Sequence, residues 1–128
     1  MRSTRRDEGG VAVVDFVMVA AVLIPLVLGL IQLSLVLHVR NTITSAASEG
    51  ARIAAAYDRG PADAEARVRS RIDGVLGGVP EQIRVQPTTV GGAPGWTVEV
   101  SAVVPPLGLG AVGVPVTGRG RAIEEALP

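Results

Sequence analysis

The chain has 128 residues, enough for one domain but not for two hydrophobic cores of ordinary size. Apolar residues make up 48% and charged residues 19%, and the twelve basic residues balance the twelve acidic ones, whereas nucleic-acid-binding proteins usually carry a basic excess. The lack of cysteine excludes disulfides, thiolate metal sites and a cysteine nucleophile, and a single histidine excludes His-paired metal motifs.

One long apolar segment dominates the N-terminal half. Residues 16–37 carry no formal charge, and Gln32 and Ser34 supply their only hydrogen-bonding side chains. As a helix the segment is ~33 Å long, which matches a hydrocarbon core of ~30 Å. A secretory signal has a shorter apolar region of about 7–15 residues. The segment therefore predicts a membrane-spanning helix that stays with the protein.

The basic residues before this span suggest its orientation. Arg2, Arg5 and Arg6 crowd the first ten residues, whereas the arginines after the span are more widely spaced. Such a bias favours an N-terminus in the cytoplasm. We expect a single-pass protein of the cytoplasmic membrane, with residues 1–10 as a cytoplasmic leader and the C-terminal module outside.

Two residues are unusual for a plain membrane anchor. Asp15 lies in the apolar stretch, where a carboxylate costs ~2.5–3.5 kcal/mol, so either it has a partner or function, or headgroups and water solvate it at the membrane border. Pro25 removes a backbone hydrogen bond within the helix and clashes with the carbonyl of Ala21. It predicts a kink or a loosened turn.

The helix is expected to continue beyond the membrane, from Val11 to Tyr57. Ala46, Gly50 and Ala54 recur at four-residue spacing, a pattern that allows close packing of helices. High alanine content alone would also produce this stripe.

These features occur in a characteristic order. The stretch Gly9-Gly10-Val11-Ala12-Val13-Val14-Asp15-Phe16 precedes Pro25 in an aliphatic run, and Ala47-Ser48-Glu49-Gly50-Ala51-Arg52 follows. In this order the chain resembles the TadE-like family, the minor pseudopilins of tight-adherence (Flp-type) pilus and secretion systems. The resemblance covers about residues 9–56. It departs from the family at Asp15, where the family usually has Glu, and at Val11, where processed pilins often have a larger apolar residue.

The resemblance implies three partners: membrane lipid, a prepilin peptidase that cuts after Gly10, and other pilin-like subunits. Cleavage would make Val11 the new N-terminus and Asp15 the fifth residue of the mature chain. The carboxylate of Asp15 could then pair with the Val11 ammonium of a neighbouring subunit and set the register of a helical bundle, because two buried opposite charges compensate each other.

Residues 58–128 predict a small α+β module. Pro61 and Asp63 are typical of a helix start, and Gly77-Gly78 of a helix end. Between them, one face carries apolar residues at three- and four-residue spacing: Ala64, Val68, Ile72, Val75 and Leu76. Asp63–Arg67 and Glu65–Arg69 have the spacing of i,i+4 ion pairs, and these arginines are expected on a solvated face without a ligand.

After this helix, the alternation of apolar and polar residues predicts three strands. Ile83 and Val85 alternate with polar residues before Pro87, a loop is expected over 91–95, and a second strand over 96–102. A third strand is expected over 114–122, with Val116, Gly118, Gly120 and Ala122 on one side. The fold class is therefore α+β: a long transmembrane helix extended outside the membrane, then a short helix on a small three-stranded antiparallel sheet.

The sequence offers no catalytic, cofactor-binding or metal-binding residues, and we expect neither an enzyme nor a small-molecule substrate. The glycine-rich stretches 108–110 and 118–120 lack the ending of a phosphate loop, and no serine has a nucleophile-elbow context. Three roles stay open: a minor pseudopilin, an unprocessed bitopic membrane protein whose outer module binds a partner, and a secreted module released by cleavage near 46–47 or 54–56.

Overall fold

A computed structural model describes residues 4–77, 81–107 and 112–126, with side chains from residue 8 onward. The elements are α1 (Thr4–Ala55), α2 (Pro61–Leu76), β1 (Glu81–Val90), β2 (Ala93–Val104) and β3 (Val114–Ile123). This confirms the predicted α+β class with a three-stranded antiparallel sheet. Arg2, Gly78 and residues 108–110, which entered the sequence predictions, lie outside the described residues.

The chain divides into two compact units, Met1–Ser34 and Leu35–Pro128. The N-terminal unit consists of the first part of α1, which stays α-helical through Pro25. Its most apolar window has a mean hydropathy of 2.8, and none of that window is buried. A long apolar helix with no protein core around it fits a single-pass membrane protein.

The C-terminal unit has a core to which two helices contribute. The sequence predicted one helix on the sheet, α2, but the last part of α1 is buried in the same core. Its members are aliphatic and small: Val39, Ile43, Ala46, Ala47, Ala51, Val68, Ile72, Leu76, Val98, Val100, Ala102, Val104 and Val116. Hydropathy alone did not indicate this role for α1, because its buried residues here are mostly alanines.

Two glycines of β3 allow the sheet to approach the backbone of α1 closely. A Cβ added at Gly118 would lie 2.6 Å from the amide nitrogen of Thr44, and one at Gly120 would overlap the backbone of Ala47 and Ser48. No side chain fits into such a space. These contacts place α1 directly against β3.

Helix α2 begins and ends where the sequence predicted. The amide of Gly60 donates to Oδ2 of Asp63 at 3.1 Å, which caps the first turn. Ala64, Val68, Ile72 and Leu76 are buried as predicted, but Val75 is 55% exposed, so its assignment to the buried face was wrong. The buried residues recur every fourth position, and Val75 lies on the flank of that narrow line.

The sheet has the order β1-β2-β3 with both pairs antiparallel. The predicted five-residue loop was wrong: β1 and β2 extend to a two-residue turn at Gly91-Gly92, whose φ angles of 59° and 86° favour glycine. The predicted end of β1 at Pro87 was also wrong, since Pro87 pairs with Trp96 inside the strand. An edge strand tolerates proline because one side of its backbone has no strand partner.

The face assignment of the third strand is confirmed. Val116, Gly118 and Gly120 are buried, and Thr117, Arg119 and Arg121 between them are exposed. Strand β3 therefore packs one side on α1 and presents the other to solvent.

We predict that Gly118→Ala destabilises the C-terminal unit, because its methyl group would overlap the backbone at Thr44. The expected loss is ~1–3 kcal/mol of the free energy of unfolding, typical of overpacking. Denaturant unfolding of the detergent-solubilised chain, followed by the fluorescence of Trp96, measures it. Thr117→Val, on the exposed side of the same strand, is the control, and equal unfolding midpoints for the two variants would contradict the prediction.

Candidate functional site

The residues predicted for processing and register lie together near the start of α1. Gly10, Val11 and Asp15 are all exposed, Val11 at 69%. A Cβ added at Gly10 would meet nothing within 4 Å. Val11 and Asp15 are one helical turn apart and therefore share a side of the helix. No part of the chain that the structure describes covers this side.

A second carboxylate lies on the same side of the helix. Glu8, Val11, Ala12 and Asp15 border one shallow surface. No described residue forms an ion pair or hydrogen bond with the carboxylate of Asp15. Among the described side chains, this side thus presents the acids Glu8 and Asp15, one before and one after the predicted cleavage point.

The predicted stripe of small residues is buried within the C-terminal unit. Ala46, Gly50 and Ala54 have almost no exposed surface. A Cβ at Gly50 would overlap Cγ2 of Val68 on α2 and lie 3.6 Å from the methyl groups of Val98 on β2. The small residues of this stripe therefore let the chain's own second helix and its sheet pack closely against α1.

Glu49, next to this stripe, links α1 to α2 by two ion pairs. Its Oε1 accepts from Nε of Arg67 at 2.9 Å and its Oε2 from Nη1 of Arg71 at 2.6 Å. The hydrogen bond from Arg67 is the largest cause of the lowered pKa of Glu49, and the nearby charges of both arginines add to it. Partial burial opposes this shift.

These contacts change the interpretation of the charged residues on α2. Arg67 pairs with Glu49, and Asp63 caps its own helix, so the predicted Asp63–Arg67 pair was wrong. The Glu65–Arg69 pair is confirmed, with Nη2 of Arg69 donating at 2.8 Å. Glu49 was not predicted as a linking residue, because its partners are eighteen and twenty-two residues away. The available signal was two arginines four residues apart on one side of α2.

The open face of the sheet carries a row of charges across all three strands. Arg84, Glu99 and Arg119 are direct neighbours in the register. Both Nε and Nη2 of Arg119 donate to Oε2 of Glu99. This bonding lowers the pKa of Glu99, and the charge of Arg84 contributes less. The row joins neighbouring strands on the side away from the helices.

At the start of β1 a third carboxylate, that of Glu81, has its pKa shifted in the opposite direction by burial. Burial raises the pKa of Glu81, and the negative charge of Asp73 on α2 raises it further, while Arg69 acts in the other direction. Its Oε2 has no hydrogen-bond partner in the part of the chain that the structure describes.

Comparison with known proteins agrees with the N-terminal features. Residues 10–52, about a third of the chain, match the family model described as TadE-like protein. This confirms the resemblance predicted from the sequence over that segment. No curated protein and no solved structure matches the chain significantly. The TadE-like segment indicates involvement in a Tad (Flp-type) pilus system.

We predict that Glu49→Gln weakens the docking of α2 at neutral pH by about 1 kcal/mol, the upper range for partly exposed ion pairs. Because the pKa of Glu49 is lower in the folded state than its ordinary value of 4.5, its stabilisation is present above that value and is lost as the pH falls through the folded pKa. Denaturant unfolding at a series of pH values measures this.

The control for this experiment is Glu65→Gln, which removes an ion pair within α2 and should cost only ~0.3–0.5 kcal/mol. The gap between wild type and Glu49→Gln should close on acidification. A gap that stays constant across the pH series would show that the charge of Glu49 is not what holds α2.

Proposed function

We propose that this chain is a minor pseudopilin of a Tad (Flp-type) pilus system, a single-pass subunit with a structural role and no enzymatic activity. The observation that carries the proposal is the family match over residues 10–52, which begins at the glycine of the predicted cleavage point and includes an exposed acid in an apolar helix. In this role the N-terminus lies in the cytoplasm and the sheet-containing unit outside the cytoplasmic membrane.

The local sequence suits cleavage after Gly10. A protease usually needs an extended substrate, and Gly9 and Gly10 each weaken a helix by ~1 kcal/mol relative to alanine. Both glycines are exposed, and a Cβ added at either would meet nothing within 4 Å outside its own helical turn, so no side-chain packing holds this turn closed. A prepilin peptidase could therefore unwind α1 at this point at low cost.

Cleavage would neutralise the charge on one side of the helix. Before cleavage, Glu8 and Asp15 present two negative charges on the side that also holds Val11. Removal of residues 1–10 takes away Glu8 and leaves an ammonium group on Val11, one turn from Asp15. The mature chain would then carry both halves of an ion pair at this surface.

In a bundle, Asp15 would pair with the Val11 ammonium of a neighbouring subunit. Each charge alone is costly to bury among apolar helices, and together they offset much of that cost. Only one axial offset between neighbouring helices brings the two groups together. The pair would therefore fix the register of the bundle.

The alternative is an unprocessed bitopic membrane protein whose outer unit binds a partner. In that case Asp15 is a solvated residue at the membrane border, and Gly10 carries no function. The two roles differ in the N-terminal residue of the protein in the membrane and in the response to loss of the Asp15 charge.

We predict that wild-type protein extracted from membranes begins at Val11, and that Gly10→Leu blocks cleavage because its side chain fills the space the peptidase needs. N-terminal sequencing and the ten-residue size difference measure both. Gly29→Leu is the matched control, a glycine of the same helix with equally open surroundings, and should be processed normally. Wild-type protein that retains Met1 in cells with an active peptidase would refute the processing.

We predict that Asp15→Asn abolishes association with pilin-like subunits while leaving membrane insertion unchanged or slightly improved. Loss of one partner of a buried pair costs ~3–5 kcal/mol, much of it from the charge left behind. Cross-linking in membranes measures association, and Asp15→Glu should retain most of it. If wild type and Asp15→Asn cross-link equally, Asp15 is a solvated border residue and the unprocessed role is favoured.

A further inference from the structure

One end of the C-terminal unit exposes a group of apolar side chains. Val75 at the end of α2, Val103 near the end of β2, and Leu107 and Val112 beyond the strands are all exposed, Val112 at 88%. We call these four residues the apolar rim. Soluble surfaces seldom group exposed apolar side chains in this way without an interaction partner.

The contacts of β3 show where this end lies along α1. Gly118 faces Thr44 and Gly120 faces Ser48, so β3 and α1 run in the same direction. At ~3.3 Å per strand residue and ~1.5 Å per helix residue, Val114 lies at about the level of Leu35. Val104 pairs with Val114 and therefore lies at this level too.

Direct contacts support the same alignment. Val104 and Pro105 border a groove together with Leu35 and Val39 of α1, and Val75 borders it from α2. A Cβ at Gly113 would lie 2.6 Å from Cγ1 of Val103, which places the start of β3 against this end of β2. The rim is thus at the end of the unit where α1 enters it.

Leu35–Leu37 are also the last residues of the apolar segment that spans the membrane. A span that begins at Phe16 reaches the far hydrocarbon boundary near Leu37, because about 20 residues cross ~30 Å. Exposed Arg40 follows at the depth where long basic side chains reach lipid phosphates. The end of the C-terminal unit that carries the rim is therefore the end that directly follows the apolar segment in the chain.

The opposite end of the unit differs in its surroundings. Tyr57 and Ile123 are also exposed there, but four charged residues flank them, namely Asp58, Arg59, Glu124 and Glu125. Two acids, Asp73 and Glu81, lie at the rim end. The opposite end lies near Ala55, whose carbonyl accepts from the amide of Glu125 at 2.9 Å. It is about 20 helix residues, or ~30 Å, beyond the rim.

We propose that the apolar rim is a lipid-binding surface that inserts into the headgroup boundary of the membrane that α1 spans. Its partner is the bilayer, because any other occupant at this depth would first have to displace lipid. The inference depends on the membrane span and not on a role in a pilus.

The test uses the full chain with single cysteines, since the native chain has none. Val75→Cys and Val112→Cys place an environment-sensitive fluorophore on the rim. Tyr57→Cys and Ile123→Cys are the matched controls, exposed apolar residues at the other end. The labelled proteins are reconstituted at low density in vesicles of phosphatidylcholine and phosphatidylglycerol, and the emission of Trp96 verifies that each variant is folded.

We expect blue-shifted emission at residues 75 and 112, with several-fold stronger quenching by lipids that carry a nitroxide near the headgroup end of the acyl chain. Iodide in the water should quench positions 57 and 123 several-fold more strongly than the rim. Equal iodide quenching at all four positions would overturn the proposal. So would a blue shift at the rim that depends on protein density and lacks nitroxide quenching, because a second copy would then cover it. The vesicles contain no peptidase and no other pilin, so neither result bears on processing or assembly.

Discussion

The C-terminal unit depends on the close contact between the backbone of α1 and strand β3. Gly118 and Gly120 bring the strand against the helix, and Ala47 faces it from α1. Small residues on both sides shorten the distance between the elements, so that many weak contacts between backbone atoms replace a few large side chains. This explains how a chain with only three aromatic residues still forms a closed core. Any side chain inserted at this contact separates the helix from the whole sheet.

The same contact explains the position of the SEGAR stretch, residues 48–52. Ser48 lies against Gly120, Glu49 holds α2 through two arginines, and Gly50 makes room for Val68. These three neighbouring residues thus dock the sheet and the second helix on α1. The family match ends at residue 52, three residues before α1 does, and so includes both the predicted cleavage point and this docking stretch. In the proposed role the predicted cleavage point would serve a peptidase and other subunits, whereas the docking stretch holds the chain's own fold.

The sequence predicts those parts of the fold that follow from local periodicity. Alternation identified the inner face of β3, and the proline and aspartate at 61 and 63 located the start of α2, because both patterns involve only neighbouring residues. The role of α1 in the core was not predictable in this way, since it depends on small residues that meet Gly118 and Gly120 about seventy positions away. Glu49 was missed for the same reason. The end of β1 was predicted wrongly at Pro87, because proline usually ends a strand. Only the edge position of β1 makes this proline acceptable.

The magnitudes also restrict what the proposed Asp15 pair can do in assembly. The fifteen Leu, Ile, Val and Phe residues of the span favour the membrane by about 0.3–0.6 kcal/mol each, or roughly 5–9 kcal/mol in total. Asp15 opposes insertion by only ~2.5–3.5 kcal/mol. An ion pair of this size cannot by itself draw α1 out of lipid, so apolar contacts with neighbouring helices must replace most of the lipid contacts. The pair would then contribute little to the total free energy of assembly but would decide its register, because a misaligned bundle keeps the apolar contacts and buries two uncompensated charges. An apolar rim held at the membrane surface adds a further cost to extraction, which neighbouring subunits would also have to offset.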